Sequence, residues 1–566
     1  MQFDSDADQG EATIGRRVGF WLGLVLFVTL LLCPTPESMR EVVRQSFAEE
    51  IRPEVLRQLA ESGQIDVGSE SGAYRSVESR IVEPRARAML AAAAVTALVA
   101  CWWIAVAIPI PVTSLLPLVL FPIVGVMPIK EAAIPYANSN VFLFMGGFII
   151  ALGLERWGVH RRIALHIVRL IGSSRPNIVL GFMLASAMLS MWISNTAATL
   201  MMLPIAMAII SAIADLDEKA DKRTHANFSA ALMLGVAYAA SIGGIATPIG
   251  TPPNISFRGQ FARLFPDAPE ISFGQWMLAF LPLVAVFLPL IWLVLVRISC
   301  PIPRGRLLVG REVIRRDLRN LGPIRCPEAA VLAVFAVTAL LWMTRSIPID
   351  GVNYGWSGYL ERILARAGSA SPLFHAGYIN DATVALGMAV LLFVIPAGRD
   401  DSGTRQHLMN WQTAQRLPWG ILLLFGGGFS IAAGFRASGL SLWCGQSFAG
   451  IGIANPLVLV LCACLMMTFL TEITSNTATT EVMLPILAGV SIAMEVNPLM
   501  LMLPATISAS CAFMLPVATP PNAIVFGSGH VDMRRMVRTG IIINLLGVVL
   551  ITATYHFCVR PILGIE

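Results

Sequence analysis

The tetrad Ser-Asn-Thr-Ala stands twice in this chain, at 194–197 and at 475–478, inside apolar sequence both times. Each copy is followed, one residue on, by Thr-x-x-x-Leu-Pro. The copies are 281 residues apart. The same offset superposes Gly147-Phe148 on Gly428-Phe429, Ala151 on Ala432, Gly153 on Gly434, Gly158 on Gly439, and Leu203-Pro204 on Leu484-Pro485. A second motif, Thr-Pro-Pro-Asn, occupies 251–254 and 519–522, an offset of 268. The difference of 13 equals the length of the polar stretch 215–227 (DLDEKADKRTHAN), which has no counterpart in the second half. The chain therefore reads as an internal duplication with one small insertion.

Composition fixes the solvent. The chain is 56% hydrophobic, only 13% of its residues are charged, and its mean hydropathy is +0.71. A soluble domain cannot hide that much apolar surface, so the sequence predicts an all-α polytopic membrane protein. Repeated halves with interrupted apolar segments point to a secondary transporter whose site lies at the repeat interface. A net charge of +5 is too small to suggest nucleic acid and reads as basic residues gathered in cytoplasmic loops. Nine Cys lack the spacing of a zinc or disulfide framework, and Cys462 and Cys464, in an apolar run, read as small core residues.

The expected order along the chain is as follows. Residues 1–17 form a cytoplasmic tail, and 18–33 a retained first transmembrane helix with its amino end inside because of Arg16-Arg17. Residues 34–87 form an extramembrane insertion of mixed charge and helical periodicity. The first half, 88–296, has spans near 88–108, 112–126, 141–154 and 276–296, a re-entrant hairpin at 176–214 with its tip at the tetrad, and a helix over 228–261 broken by Gly243-Gly244, Pro248, Gly250, Pro252 and Pro253. A basic cytoplasmic linker, 297–328, carries eight Arg against Glu312, Asp317 and Glu328. The second half, 329–566, repeats the plan, with spans near 329–343, 382–394, 419–435 and 540–558, a hairpin at 456–495 and a broken helix at 499–526. Loop charge gives about 11 transmembrane helices and two re-entrant hairpins, the second hairpin inverted relative to the first.

Ser, Thr and Asn oxygens with free backbone carbonyls are hard neutral ligands suited to a weakly held alkali cation. Neither tetrad holds a carboxylate, so a cation there would take its counter-charge from a nearby anion. The start of the second helix of each hairpin offers a positive dipole end and free N–H groups to that anion. A lone Ser-Asn-Thr is ordinarily a helix cap or interhelical glue, and a Gly/Pro break an ordinary kink. Two copies at a constant offset, each with a matching Thr-Pro-Pro-Asn, argue against both readings. Glu472 and Glu481 flank only the second tetrad, facing Met191 and Leu200 in the first. Acids at membrane depth are functional suspects, and the alternative is a polar anchor to a neighbouring helix. Glu155 and His160 read as interfacial.

With its two Ser-Asn-Thr motifs, two Thr-Pro-Pro-Asn breaks and the stretch 144–165 (FMGGFIIALGLERWGVHRRIAL), the chain resembles the divalent anion:sodium symporter family from about residue 88 onward. That resemblance implies a homodimer in the plasma (inner) membrane, each protomer an inverted-repeat transporter with a scaffold domain and an elevator-type transport domain. It implies a first sodium site at Ser190, Ser194, Asn195 and the Gly250 backbone, and a second at Thr471, Thr474, Asn476 and the Ala518 backbone. It implies that substrate carboxylates meet Asn195, Thr196, Asn476 and Thr477, with Thr251, Thr519 and Pro520 close by. The implied substrate is a di- or tricarboxylate; sulfate symport and sodium-independent exchange are the alternatives. The 34–87 insertion is not a recognised part of that pattern. An intramembrane enzyme finds no His-Glu-x-x-His, Gly-x-Gly-Asp or paired His/Asp in a span, and a cation antiporter would need paired acids in both halves.

Overall fold

The computed structural model describes residues 5–50, 82–171, 174–216, 222–303, 315–349, 352–366, 375–399, 405–449 and 455–565. Helix α1 (Ser5–Leu32) is followed by α2 (Glu37–Glu50) and α3 (Glu83–Ala105), then two short helices, α4 (Ile110–Thr113) and α5 (Leu116–Ile123). Next come α6 (Ser139–Arg156), α7 (Val159–Ile171), α8 (Arg175–Ser190), α9 (Asn195–Leu216), α10 (Lys222–Ile245), α11 (Pro252–Leu264) and α12 (Phe273–Leu293). The second half holds α13 (Cys326–Thr344), α14 (Trp356–Arg366), α15 (Asp381–Val394), α16 (Trp419–Ser438), α17 (Leu440–Ala449), α18 (Pro456–Ile473), α19 (Asn476–Ala493), α20 (Leu499–Ala509), α21 (Pro520–Gly527) and α22 (Met533–Thr554). Two antiparallel ribbons complete it, β1 (Pro348–Ile349) with β2 (Val352–Asn353), and β3 (Pro396–Arg399) with β4 (Arg405–His407). Among the described residues, ten helices are long and apolar enough to cross a membrane. The chain is a polytopic helical membrane protein.

The core is organised around α10, in which every side chain from Asn227 to Ile245 is buried. It packs against α8, α9, α12 and α21. Small residues permit the closest approaches: a side chain at Gly243 would strike the backbone of Ala187 on α8. The equivalent Gly158 and Gly439 sit at φ +70° and +79°, a region that costs other residues strain. Each ends a long helix and lets a short one, α7 or α17, turn away from it. The repeated glycine is thus a repeated corner.

Several boundaries differ from the sequence reading. The expected span at 112–126 is two short helices, because Pro109, Pro111, Pro117 and Pro122 withhold backbone donors. The polar stretch 215–227 is mostly helix: α9 runs to Leu216 and α10 starts at Lys222, with 217–221 outside the described residues. The tail expected at 1–17 is helical from Ser5, and α13 begins at Cys326, inside the expected linker, of which 304–314 lie outside the described residues. Of the 34–87 insertion, α2 is described and 51–81 are not. Met39, Val42 and Val43 of α2 are buried where α2 packs on α3 and α17, and Arg40 and Thr35 both bond Glu83 at 2.9 Å.

Candidate functional site

Two helical hairpins, α8/α9 and α18/α19, turn at the two tetrads, and two helices, α10/α11 and α20/α21, are interrupted beside them. Their tips and breaks line one cavity of about 730 Å³. The hairpin turns supply Ser194, Asn195, Thr196, Thr474, Asn476 and Thr477; the breaks supply Gly250, Thr251, Ala518, Thr519 and Pro520. Ser190 and Thr471 are fully buried one layer behind. None of the lining residues is charged. A second cavity, about 800 Å³, lies between the start of α18 and the end of α22; it holds none of the repeated motifs.

The two halves repeat several of their bonds, with the polarity of the buried hydroxyl–asparagine pair reversed between them. Thr471 Oγ1 donates its one hydrogen to Asn476 Oδ1 at 2.6 Å, with the Ala509 carbonyl the alternative acceptor at 3.1 Å. With its amide nitrogen turned toward them, Asn195 can donate its two hydrogens to the carbonyls of Ala240 (3.2 Å) and Gly250 (3.3 Å), and Ser190 Oγ lies 2.6 Å from the same nitrogen. Thr199 and Thr480 hydroxyls donate to the carbonyls of Asn195 and Asn476, at 2.9 and 2.7 Å. Asn254 Nδ2 donates to the carbonyls of Gly244 (3.2 Å) and Thr247 (2.8 Å), and Asn522 Nδ2 to those of Ala512 and Leu515 (both 3.0 Å). In both halves the asparagine of Thr-Pro-Pro-Asn reaches back ten and seven residues. It staples the unwound segment by carbonyls the helix has released. The preceding prolines sit at N1 and N2 of α11 and α21, where a missing N–H costs nothing.

This arrangement can hold cations and an anion together. Hydroxyl and amide oxygens with unwound carbonyls suit a hard monovalent ion. The amino ends of α9 and α19 open at the cavity with their dipoles positive toward it. Missing from the sequence reading was the facing wall, made by Trp103 and Ile104 of α3, Phe144 and Phe148 of α6, and Ile421 and Leu424 of α16. Phe144 and Phe148 lay within the family-like stretch; the others are apolar residues among many and carry no distinguishing pattern.

The two acids are now placed. Glu481 is fully buried and accepts from the Ser256 hydroxyl and the Gln260 amide of α11. Glu472 accepts from the backbone N–H groups of Phe513, Met514 and Leu515 and from Asn544 Nδ2. Both anchor neighbouring elements, and neither lines the cavity.

Paired hairpins and broken helices around one neutral cavity define a membrane protein of the carrier class. Residues 78–563 match the family described as "Sodium:sulfate symporter transmembrane region", and the chain belongs to that family. It is 43% identical to the Sodium-dependent dicarboxylate transporter SdcS of Staphylococcus saprophyticus over 567 residues, covering 100% of this chain and 96% of that one. The SdcS of Staphylococcus aureus strain RF122 is 41% identical over 474 residues, 84% of this chain and 86% of its own. A crystal structure of the Alcanivorax borkumensis YdaH transporter, described as having an unusual topology, shares the fold at a TM-score of 0.51 and 14% identity, over 74% of this chain and 86% of that one.

Proposed function

We propose that this protein is a sodium-coupled symporter for small dicarboxylates of the succinate type. The observation that carries the reading is the convergence of two equivalent hydroxyl–amide hairpin tips and two unwound helices on one uncharged cavity. Sodium binds at Ser190, Ser194, Asn195 and the Gly250 backbone, and again at Thr471, Thr474, Asn476 and the Ala518 backbone. The dianion bridges Asn195-Thr196 and Asn476-Thr477, close to Thr251, Thr519 and Pro520, and its charge balances the cations. The relatives named as sodium-dependent dicarboxylate transporters, matched over 96% and 86% of their own length, support this substrate class. The two halves are inverted repeats, and α8–α12 with α18–α22 move as an elevator against the remaining helices. The protein works as a homodimer, surrounded by lipid, in the plasma (inner) membrane with its amino end cytoplasmic.

The test is labelled succinate uptake into proteoliposomes under an inward sodium gradient, compared with an equal potassium gradient. Uptake that requires sodium and resists competition by sulfate supports the proposal. Uptake that requires internal dicarboxylate and ignores sodium replaces it with exchange. Sulfate uptake without succinate uptake moves it to inorganic anions.

A further inference from the structure

The two helix breaks are not equal, and the difference is where Glu472 acts. In the first half the break runs over 246–251; in the second it runs over 510–519. By the 268-residue offset, 510–513 answer to 242–245, which are still helix in α10. Extra unwinding takes N–H groups away from their intrahelical acceptors, and a buried donor without an acceptor is strongly unfavourable. Phe513 is a donor in the extra unwound stretch, and Met514 and Leu515, which answer to Ala246 and Thr247, continue the unwound run. Their N–H groups reach Glu472: Phe513 N to Oε1 at 2.7 Å, Met514 N to Oε1 at 3.0 Å and Oε2 at 3.1 Å, and Leu515 N to Oε2 at 3.1 Å. Asn544 Nδ2 holds Oε1 from the other side at 2.6 Å. One side chain replaces the acceptors that a turn of helix would have supplied.

The carboxylate also sets which way the segment faces. In a trans peptide the carbonyl of one residue points opposite to the N–H of the next. With three successive N–H groups turned to Glu472, the carbonyls before them must point away from it. The Ala512 carbonyl accepts from Asn522 Nδ2 at 3.0 Å and the Phe513 carbonyl from the Tyr238 hydroxyl at 2.7 Å. In the first half, Met191 stands where Glu472 does. There the Thr247 hydroxyl donates to the Met191 carbonyl at 2.5 Å, and Trp276 Nε1 takes the Ile245 carbonyl at 3.0 Å. Thr471, the neighbour of Glu472, holds the cavity side of the same helix end through Asn476 and Ala509.

We infer that Glu472 is a positioning residue for the second cation site: it fixes the 510–518 segment that presents the Ala518 backbone, and it makes the second site unlike the first. The inference rests on the sodium-symport reading above. The test uses the full-length protein and two variants, Glu472→Gln and Asn544→Leu. Three quantities are read: the sodium concentration giving half-maximal thermal stabilisation without substrate, the half-saturating sodium for succinate uptake, and the succinate KM at saturating sodium. Glu472→Gln puts an amide donor against backbone donors. It is expected to raise both sodium values at least fivefold and to leave the KM within twofold. Asn544→Leu, which removes only a support of the carboxylate, shifts the sodium values the same way by a smaller factor, and decides the matter where Glu472→Gln does not fold. Unchanged sodium values in a folded variant overturn the inference, as does a KM that rises in step with them. A wild-type protein stabilised equally by sodium and potassium overturns the symport reading and this inference with it; a sodium-specific wild type with indifferent variants overturns the inference alone.

Discussion

Asp381 is a residue whose loss the structure makes costly outside the cavity. It is 1% exposed and accepts from Arg258 Nη2 at 2.9 Å and from Arg345 Nε at 2.6 Å. Glu270 also pairs with both arginines, at 2.9 and 3.3 Å, but its side chain is 51% exposed. The cluster ties α11 to the end of α13 and the start of α15. Asp381→Asn leaves two buried guanidinium groups facing each other with one half-solvated partner. Breaking a buried pair by removing one member costs about 3–5 kcal/mol. Glu270→Gln removes a partner that water can replace, and costs about 1 kcal/mol or less. Adding Arg345→Met to Asp381→Asn removes one of the stranded charges and should recover part of the loss. The assay is equilibrium unfolding of the purified protein in a fixed detergent, followed by helical signal. The reasoning is refuted if Asp381→Asn costs under about 1 kcal/mol, or no more than Glu270→Gln.

Three further outcomes are expected. Asn195→Ala or Asn476→Ala abolishes uptake while the protein still folds by size-exclusion chromatography; normal transport with unchanged sodium dependence in either would remove that residue from the site. Gly250→Ala puts a methyl group 2.8 Å from Gly244 Cα, so it should cut sodium-driven uptake more than tenfold, and a wild-type rate would show that this close approach is dispensable. Burial on α7, outside the spanning helices, holds the His160 pKa below its ordinary value. The unfolded chain then binds the proton more readily. The His160 contribution is complete above about pH 6.5 and is lost as pH falls through the lower folded value. A melting-temperature profile from pH 8 to 5 should therefore slope less in His160→Gln than in wild type.

Most of the site was legible because the duplication labelled it. Asn195 and Asn476 announced themselves by standing at one offset in an apolar setting, where polar residues must have partners, whereas Ser190 and Thr471 entered only through the family resemblance. The role of Asn254 and Asn522 was not legible. Their positions ten and seven residues beyond the carbonyls they hold have meaning only once the helix between is known to be unwound. The short helices α7 and α17 escaped a hydropathy reading because neither is long enough to span, although Gly158 and Gly439 marked both corners. Pro109, Pro111, Pro117 and Pro122 were present to be read, and should have broken the span expected at 112–126. The partners of Glu472 and Glu481 lie tens to hundreds of residues away in sequence, a separation that periodicity does not carry.

A cavity walled only by neutral side chains has an electrical consequence. On the proposed reading the cavity lining adds no fixed charge beside the cargo, so what has been loaded alone sets the net charge of the cavity. With one sodium ion at each proposed site and a dianion between them, the occupied cavity would sum to zero. The cargo would then add no net charge for the voltage to act on, whereas each uncompensated charge would be worth about 2.3 kcal/mol per 100 mV. A monoanion in the same place would leave one positive charge on board. The same protein would then become a current-carrying device, through a change in the cargo and none in the protein.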